Sequence, residues 1–306
     1  MNEEKTEFNR QTDRQTDRQI RRLKNLLVFL LCIVLIGGLG AGAVGYKLYT
    51  KVKTTESNVS ELRNQVVTLQ NEVDGSNFDS SIYVESDYNY LAIGNSITNH
   101  PATSYWWNPG VGMAASSQDK DYEHVLATML ESGLSGNEIA SSRSAVSVAS
   151  NVNVVSANLG NWELQYYDRA ETLAVLKPYL SSNLDLVTIQ LGENASDTTT
   201  FESDYEELIK YIQELCPDAK IAVIGEFWKD EDKDSMKKQA CDTTGATFVD
   251  LSSMWNDTSY QAGMGTVVYD AEGKEHTIEH QGTSSHPGDK GMQKIAELVY
   301  AAIKKN

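Results

Sequence analysis

Residues 88–98 read YNYLAIGNSIT, a short apolar run that stops at a Gly-Asn-Ser turn. The run at 88–93 predicts a buried strand, because it is short, rich in aromatic and aliphatic residues and bounded by turn formers. The glycine and asparagine at 94–95 predict a tight turn out of that strand. In an open parallel sheet, reactive groups lie just beyond the carboxyl ends of the strands. Ser96 therefore occupies a position where chemistry is expected.

Apolar runs of this kind alternate with amphipathic stretches along the rest of the chain. Further strands are predicted at 153–159, 185–191, 220–227 and 247–251. Helices are predicted at 121–131, 168–180, 201–215, 232–244 and 289–303. The alternation predicts an α/β fold with three α/β/α layers, in which a mainly parallel five-stranded sheet carries helices on both faces.

The 306-residue chain has a formal net charge of −17, and the acidic excess lies after residue 75. An acidic domain repels nucleic acid and anionic lipid headgroups, so no nucleic-acid partner is expected. Two of the three cysteines, Cys216 and Cys241, fall in the globular part, where they either form one disulfide or stay as free thiols. No cluster has metal-ligand spacing, so neither a metal nor another cofactor is expected.

An uncharged segment at 25–46 has about the length that a helix needs to cross a bilayer. Arg21, Arg22 and Lys24 precede it, and this positive flank predicts a single-pass cell-membrane protein with its N-terminus inside. A cleaved signal peptide is the alternative, since Ala-Gly-Ala at 41–43 resembles a cleavage site. The length of the apolar run and of its charged leader favours a permanent anchor.

Apolar residues recur at heptad spacing beyond the predicted span, at Val52, Val59, Leu62, Val66, Leu69 and Val73. The repeat predicts a short coiled-coil-like stalk, which would allow a homo-oligomer, although a single amphipathic helix also fits. The predicted organisation is a basic cytoplasmic tail at 1–24, a transmembrane helix at 25–46, a stalk at 47–75 and a globular domain at 76–306.

Four short motifs lie where the fold would gather reactive groups. Three follow successive predicted strands and the fourth precedes the last helix: Gly94-Asn95-Ser96, Asn158-Leu159-Gly160, Gly192-Glu193-Asn194 and Ser285-His286-Pro287. A single Gly-x-Ser turn is weak evidence, because both residues are common in such turns. Together, in this order, the motifs resemble the SGNH/GDSL hydrolase superfamily, whose four blocks supply Ser, Gly, Asn and His.

The resemblance covers most of 85–306, and none of the tail, span or stalk, and implies a flavodoxin-like SGNH fold. Together with the predicted span, it indicates a membrane-anchored bacterial member. It implies that Ser96 is the nucleophile and His286 the general base. The amides of Ser96 and Gly160 and the side chain of Asn194 would form the oxyanion hole. These residue types suit the chemistry, because a serine hydroxyl needs a base to accept its proton and the tetrahedral oxyanion needs N–H donors.

The sequence departs from the family pattern at two positions. Asn95 stands where the family usually has Asp before the nucleophile, and this Gly-Asn-Ser variant is found in part of the superfamily. Thr283 stands where the family usually has an Asp that orients the histidine. A backbone carbonyl could hold the imidazole, another acid such as Glu279 or Asp289 could substitute, or the site could be degenerate. A working Ser–His dyad is the favoured interpretation.

The predicted pocket comprises five residues near the motifs: Asn95, His100, Trp106, Trp107 and Glu193. Aromatic planes beside a serine suit the apolar face of a sugar or an acyl chain, although either tryptophan could instead pack in the core.

The predicted function is an extracytoplasmic serine esterase that removes or transfers small acyl groups. Its predicted substrates are acetyl esters on a cell-surface carbohydrate, because the sequence lacks a long apolar lid. A lysophospholipase or thioesterase would use the same residues with a different pocket. The alternative from another class is a non-catalytic SGNH-like module that binds a glycan or a protein.

Overall fold

The computed structural model describes residue 51 and residues 78–136, 138–143, 151–164 and 168–304. The predicted tail and transmembrane helix, and all of the predicted stalk except residue 51, lie outside these ranges. Within them, no helix combines the length and the apolar character needed to cross a membrane. The membrane anchor and the coiled-coil stalk therefore stay predictions.

The predicted five-stranded parallel sheet is confirmed. Its strands are β1 (Tyr88–Gly94), β2 (Val152–Asn158), β3 (Leu186–Gln190), β4 (Lys220–Ile224) and β5 (Thr247–Val249). They lie in the order β2-β1-β3-β4-β5, and every neighbouring pair is parallel. This is the flavodoxin-like strand order, in which ligands bind where the order reverses, beyond the ends of β1 and β3.

The predicted helices are confirmed, with shifted ends at some of them. The α-helices of the described domain are α1 (Tyr122–Ser135), α2 (Arg169–Leu176), α3 (Phe201–Leu215), α4 (Glu231–Thr244), α5 (Gln281–Ser284) and α6 (Asp289–Lys304), of which all except α5 were predicted. Helix α2 ends before the predicted 180 and continues as a 3-10 turn over Lys177–Tyr179. Pro178 lies in that turn and has no N–H to extend the α-helical ladder, which accounts for the change.

Alternating side chains of the central strands fill two separate cores. Tyr90 and Ala92 of β1 point into the core shared with α1 and α6. Leu91 and Ile93 point to the opposite face, where α3 buries Phe201 and the rest of its apolar stripe. Because strand side chains alternate with a period of two, a strand that is apolar at every position is buried on both faces.

Two features of the domain were not predicted from the sequence. A short antiparallel hairpin, β6 (Val267–Tyr269) with β7 (Glu275–Thr277), and the single-turn helix α5 precede the last helix.

Cys216 and Cys241 are both buried and unpaired, so the disulfide alternative is not realised. Burial raises the pKa of the Cys216 thiol to about 11 and that of the Cys241 thiol to about 12.

Candidate active site

Ser96, the predicted nucleophile, lies on a tight turn immediately after β1. The amides of Thr98 and Asn99 donate to the Asn95 carbonyl at 3.1 and 2.9 Å, which bends the chain as the strand ends. A Cβ on Gly94 would lie 2.0 Å from Thr98 Oγ1, so only glycine fits at the start of this turn. The turn leaves Ser96 partly exposed at the carboxyl end of the central strand, as its position in the sequence predicted.

Ser96 and His286 form a hydrogen-bonded pair. The Ser96 hydroxyl lies 2.8 Å from His286 Nε2, and His286 Nδ1 lies 2.8 Å from the carbonyl oxygen of Gly282. A carbonyl can only accept, so Nδ1 carries the proton and Nε2 is left to accept from the serine. The imidazole is therefore held in the tautomer that a general base requires.

The Gly282 carbonyl is itself fixed by α5. It also accepts the amide of Ser285 at 3.2 Å and the Ser285 hydroxyl at 2.7 Å. Thr283, at the usual position of the acid, is fully buried and hydrogen-bonds His280 instead. Asp289 binds the backbone and hydroxyl of Ser116 at 2.8 and 2.6 Å. Of the explanations left open by the sequence, the geometry favours the backbone carbonyl.

The surroundings of His286 keep its imidazole neutral. Burial lowers the pKa of His286 below its ordinary value, while the Gly282 hydrogen bond and the negative charge of Glu193 partly offset that shift. The ring of Trp228 packs edge-on against the imidazole, with centroids 5.0 Å apart and planes at 84°. A neutral imidazole with a fixed ring can accept a proton at neutral pH.

The three predicted oxyanion-hole donors differ in their availability. No described residue accepts a hydrogen bond from the Ser96 amide. The Asn194 side chain is exposed, and its Nδ2 donates one hydrogen to Glu163 Oε2 at 2.7 Å, which leaves the second hydrogen. The Gly160 amide donates to Asn158 Oδ1 at 2.9 Å, so it would have to leave that partner to bind an oxyanion.

Glu163 is a site residue that sequence reasoning missed. It is fully buried at the end of the 3-10 helix Gly160–Glu163, directly after β2. Its Oε1 accepts from Asn95 Nδ2 at 2.9 Å and from the amide of Gly192, and its Oε2 accepts from Asn194. One carboxylate thus links the segments that follow β1, β2 and β3.

A second buried acid, Glu226, lies behind Gly192. It pairs with the Lys237 ammonium at 2.9 Å, and both side chains are almost completely buried. Gly192 has φ +138°, and a Cβ there would lie 2.0 Å from Glu226 Oε1. Only glycine fits at this point, because both the backbone conformation and the adjacent carboxylate exclude a side chain.

The five predicted pocket residues are distributed between the site and the core. Trp106 is fully buried in the core and offers no surface to a substrate, which corrects that part of the prediction. Trp107 is half-buried and stacks on His276, with centroids 4.5 Å apart. Asn95 is also buried and holds the carboxylates of Glu163 and Glu193 instead of lining a pocket.

His100 and Glu193 both interact electrostatically with His286. Burial lowers the pKa of His100 to about 4, and His286 acts on it in the same direction. Glu193 accepts from Asn95 at 3.1 Å and from the amide of Phe227 at 3.0 Å. In the part of the chain that the structure describes, no group of His, Cys, Asp or Glu has the arrangement of a metal site.

The Asn95 geometry explains the departure from Gly-Asp-Ser. We expect Asn95→Asp to lower the free energy of unfolding by about 3 kcal/mol at neutral pH. The Asn95 amide now donates to the carboxylates of Glu163 and Glu193, and the substitution would put a third carboxylate against them. The new carboxyl would have a higher pKa in the folded than in the unfolded chain. The loss of stability caused by Asn95→Asp should therefore grow as pH rises through the range in which carboxyl groups ionise, and it should shrink in acid. Urea denaturation at several pH values measures this difference.

Asn108→Asp is the matched control for that measurement. Asn108 is also buried, but its amide donates to the carbonyl of Tyr269 at 3.3 Å instead of to carboxylates. The loss of stability caused by Asn108→Asp should therefore depend less on pH than the loss caused by Asn95→Asp. A cost of Asn95→Asp that does not change with pH would contradict the explanation by like charges.

Comparison with known proteins gave structural matches only. No family model and no curated protein matches the chain. The fold is similar to an extracellular lipase from Streptomyces rimosus, with 16% identity over 70% of this chain and 99% of that one, at a TM-score of 0.41. A phospholipase A1 from Streptomyces albidoflavus matches with 13% identity over 71% and 99% of the two chains, at a TM-score of 0.42.

A family two carbohydrate esterase from Clostridium thermocellum, solved in complex with cellohexaose, is a further match. Its identity is 20% over 71% of this chain and 64% of that one, at a TM-score of 0.41. Likeness at this level carries no information about activity. Any function for this chain therefore rests on the side chains of its own site.

Proposed function

We propose that the protein is a serine ester hydrolase of the SGNH/GDSL type that works through an acyl-Ser96 intermediate. The observation that carries the proposal is the hydrogen-bonded series from the Ser96 hydroxyl to His286 Nε2, and from Nδ1 to the Gly282 carbonyl, each contact 2.8 Å long. A serine, a neutral base and a group that fixes the tautomer of the base are the elements of an activated nucleophile.

The reaction follows from these contacts in two balanced halves. Ser96 Oγ attacks the ester carbonyl carbon while its proton passes to His286 Nε2. The oxyanion accepts hydrogen bonds from the Ser96 amide and the free Asn194 hydrogen. When the intermediate collapses, the leaving alcohol takes the proton back from Nε2, and the acyl group stays on Ser96. Water then repeats the steps through the same base and releases a carboxylic acid.

The finer proposal is that the substrates carry small acyl groups, with acetyl esters of a cell-surface carbohydrate as the first choice. Tyr105 and Trp107 support it, since they follow the nucleophile in sequence and stack on His280 and His276. A half-buried aromatic ring can pack its open face against a sugar. The uncharged segment at 25–46 and its basic flank support an extracytoplasmic, membrane-tethered location.

The non-catalytic alternative has a weaker basis in the structure than in the sequence. It depended on Thr283 in place of an acid, and the Gly282 carbonyl occupies the role that the acid would play for the ring. Nothing in the site specifically favours a lysophospholipase or a thioesterase over a carbohydrate esterase.

A fluorophosphonate probe tests the proposal, because it reacts with serines that a neighbouring base activates. We expect the folded full-length chain to be labelled and Ser96→Ala to be unlabelled. Ser132→Ala is the control, since that hydroxyl is exposed on α1 and donates only to the Thr128 carbonyl at 3.1 Å. Labelling that persists in Ser96→Ala, or no labelling of folded wild type, would favour the non-catalytic module.

A further inference from the structure

The Glu163 carboxylate is the point at which three parts of the site meet. It faces the nucleophile turn through Asn95, the loop after β3 through the Gly192 amide, and the oxyanion-hole side chain of Asn194. Because the sheet order places β2, β1 and β3 side by side, these three segments emerge next to one another. Glu163 touches none of the reacting atoms itself.

Glu163 acts only as a hydrogen-bond acceptor, because three donors share its two carboxylate oxygens. Asn95 Nδ2 and the Gly192 amide share Oε1, and Asn194 Nδ2 has Oε2 to itself. An amide of the same shape would turn an NH₂ group towards one of these donors. The site therefore needs a charged carboxylate at this position, not merely a polar side chain of this size.

Burial raises the pKa of Glu163, and the nearby Glu193 raises it further, while the three donated hydrogen bonds act in the opposite direction. Such a buried acid is costly unless its partners are fully engaged. The three hydrogen bonds to Glu163 offset that cost, and they also hold the donor groups in place.

We propose that Glu163 is a positioning residue for the esterase reaction, holding the Asn194 side-chain amide in the orientation that the oxyanion hole requires. The inference rests on the proposed function. It assigns the orientation of Asn194 to Glu163, because the side chain of Asn194 is otherwise exposed. Glu193, by contrast, accepts hydrogen bonds from Asn95 and from the Phe227 amide, and within the described residues no hydrogen bond joins it to Asn194.

A double-mutant cycle between Glu163 and Asn194 tests this role. Removing one oxyanion-hole donor costs about 100- to 1000-fold in kcat, so we expect Asn194→Ala to fall in that range and Glu163→Gln to lose about 10- to 100-fold. KM for p-nitrophenyl acetate should change little in either variant, because the lost contact forms in the transition state. In the Asn194→Ala background, Glu163→Gln should add less than about threefold.

Thermal denaturation of each variant separates positioning from folding. A structural role alone would lower the melting temperature in both backgrounds and would not couple to Asn194 in kcat. Equal losses of kcat from Glu163→Gln with and without Asn194 would overturn the inference and leave the esterase proposal intact. A wild type without Ser96-dependent hydrolysis would overturn the esterase proposal, and the positioning role of Glu163 with it.

Side-chain NMR of the wild type gives a second test that needs no Glu163 variant. One Asn194 Nδ2 hydrogen should be shifted downfield and exchange slowly with water, since it is bonded to a carboxylate, and the other should exchange fast. Two fast-exchanging hydrogens would overturn the inference even if Glu163→Gln fails to fold.

Discussion

Replacing Ser96 with alanine should lower kcat for p-nitrophenyl acetate at least about a thousandfold, and His286→Ala should cost a similar factor. Without the hydroxyl no acyl-enzyme forms, and without the imidazole no group accepts its proton at 2.8 Å. Because the two act as one unit, the double variant should be scarcely slower than either single variant. Initial rates under saturating substrate measure all three.

Ser132→Ala again serves as the control and should keep the wild-type rate. Circular dichroism should show that each variant keeps its fold, because Ser96 is partly exposed and its loss opens little space. Multiplicative losses in the double variant would contradict a shared role for Ser96 and His286. Wild-type rates equal to those of the variants, on acetyl and longer esters alike, would contradict the esterase proposal itself.

The largest effect on stability is expected at Lys237, whose ammonium lies 2.9 Å from Glu226 with neither side chain accessible to water. Lys237→Ala would leave a buried acid without its partner and would free the Ile224 carbonyl, which accepts from the ammonium at 3.0 Å. Breaking such a pair from one side costs about 3–5 kcal/mol, and urea denaturation measures that loss.

The next residue along the helix provides the control. Lys238 pairs with Asp242 at 2.6 Å, but both side chains are more than half exposed. An exposed i,i+4 pair contributes about 0.3–0.5 kcal/mol, so Lys238→Ala should scarcely change the free energy of unfolding. Equal costs for the two adjacent lysines would show that burial of the Lys237 pair has no energetic consequence.

Most of the fold could be predicted because the strands carry their own signal. The apolar run at 88–93 is buried on both faces, and its short length, aromatic content and flanking turn formers indicate a strand. The helix α3 was predicted at its observed bounds, since its apolar residues recur with helical spacing. The hairpin of β6 and β7 was missed because each strand has three residues, too few to show a period.

The pairing of Ser96 with His286 could be predicted, and the residues that support it could not. Ser96 and His286 stand in recognisable motifs, whereas Glu163 is one of many acids in an acidic chain, and nothing local distinguishes it. Its burial depends on where the segments after β1 and β3 converge, which is a property of the tertiary structure. The same reason explains why adjacent residues Trp106 and Trp107 have different environments: a loop has no period from which burial can be inferred.

Holding His286 through the Gly282 carbonyl changes which mutations the site can tolerate during evolution. An acidic side chain can be lost by a single substitution, whereas every residue has a main-chain carbonyl. Position 283 is then limited by the space around a buried threonine and not by charge. Searches that demand an acid three residues before the histidine would pass over such sites, because relatives with the same arrangement need no acid at that position.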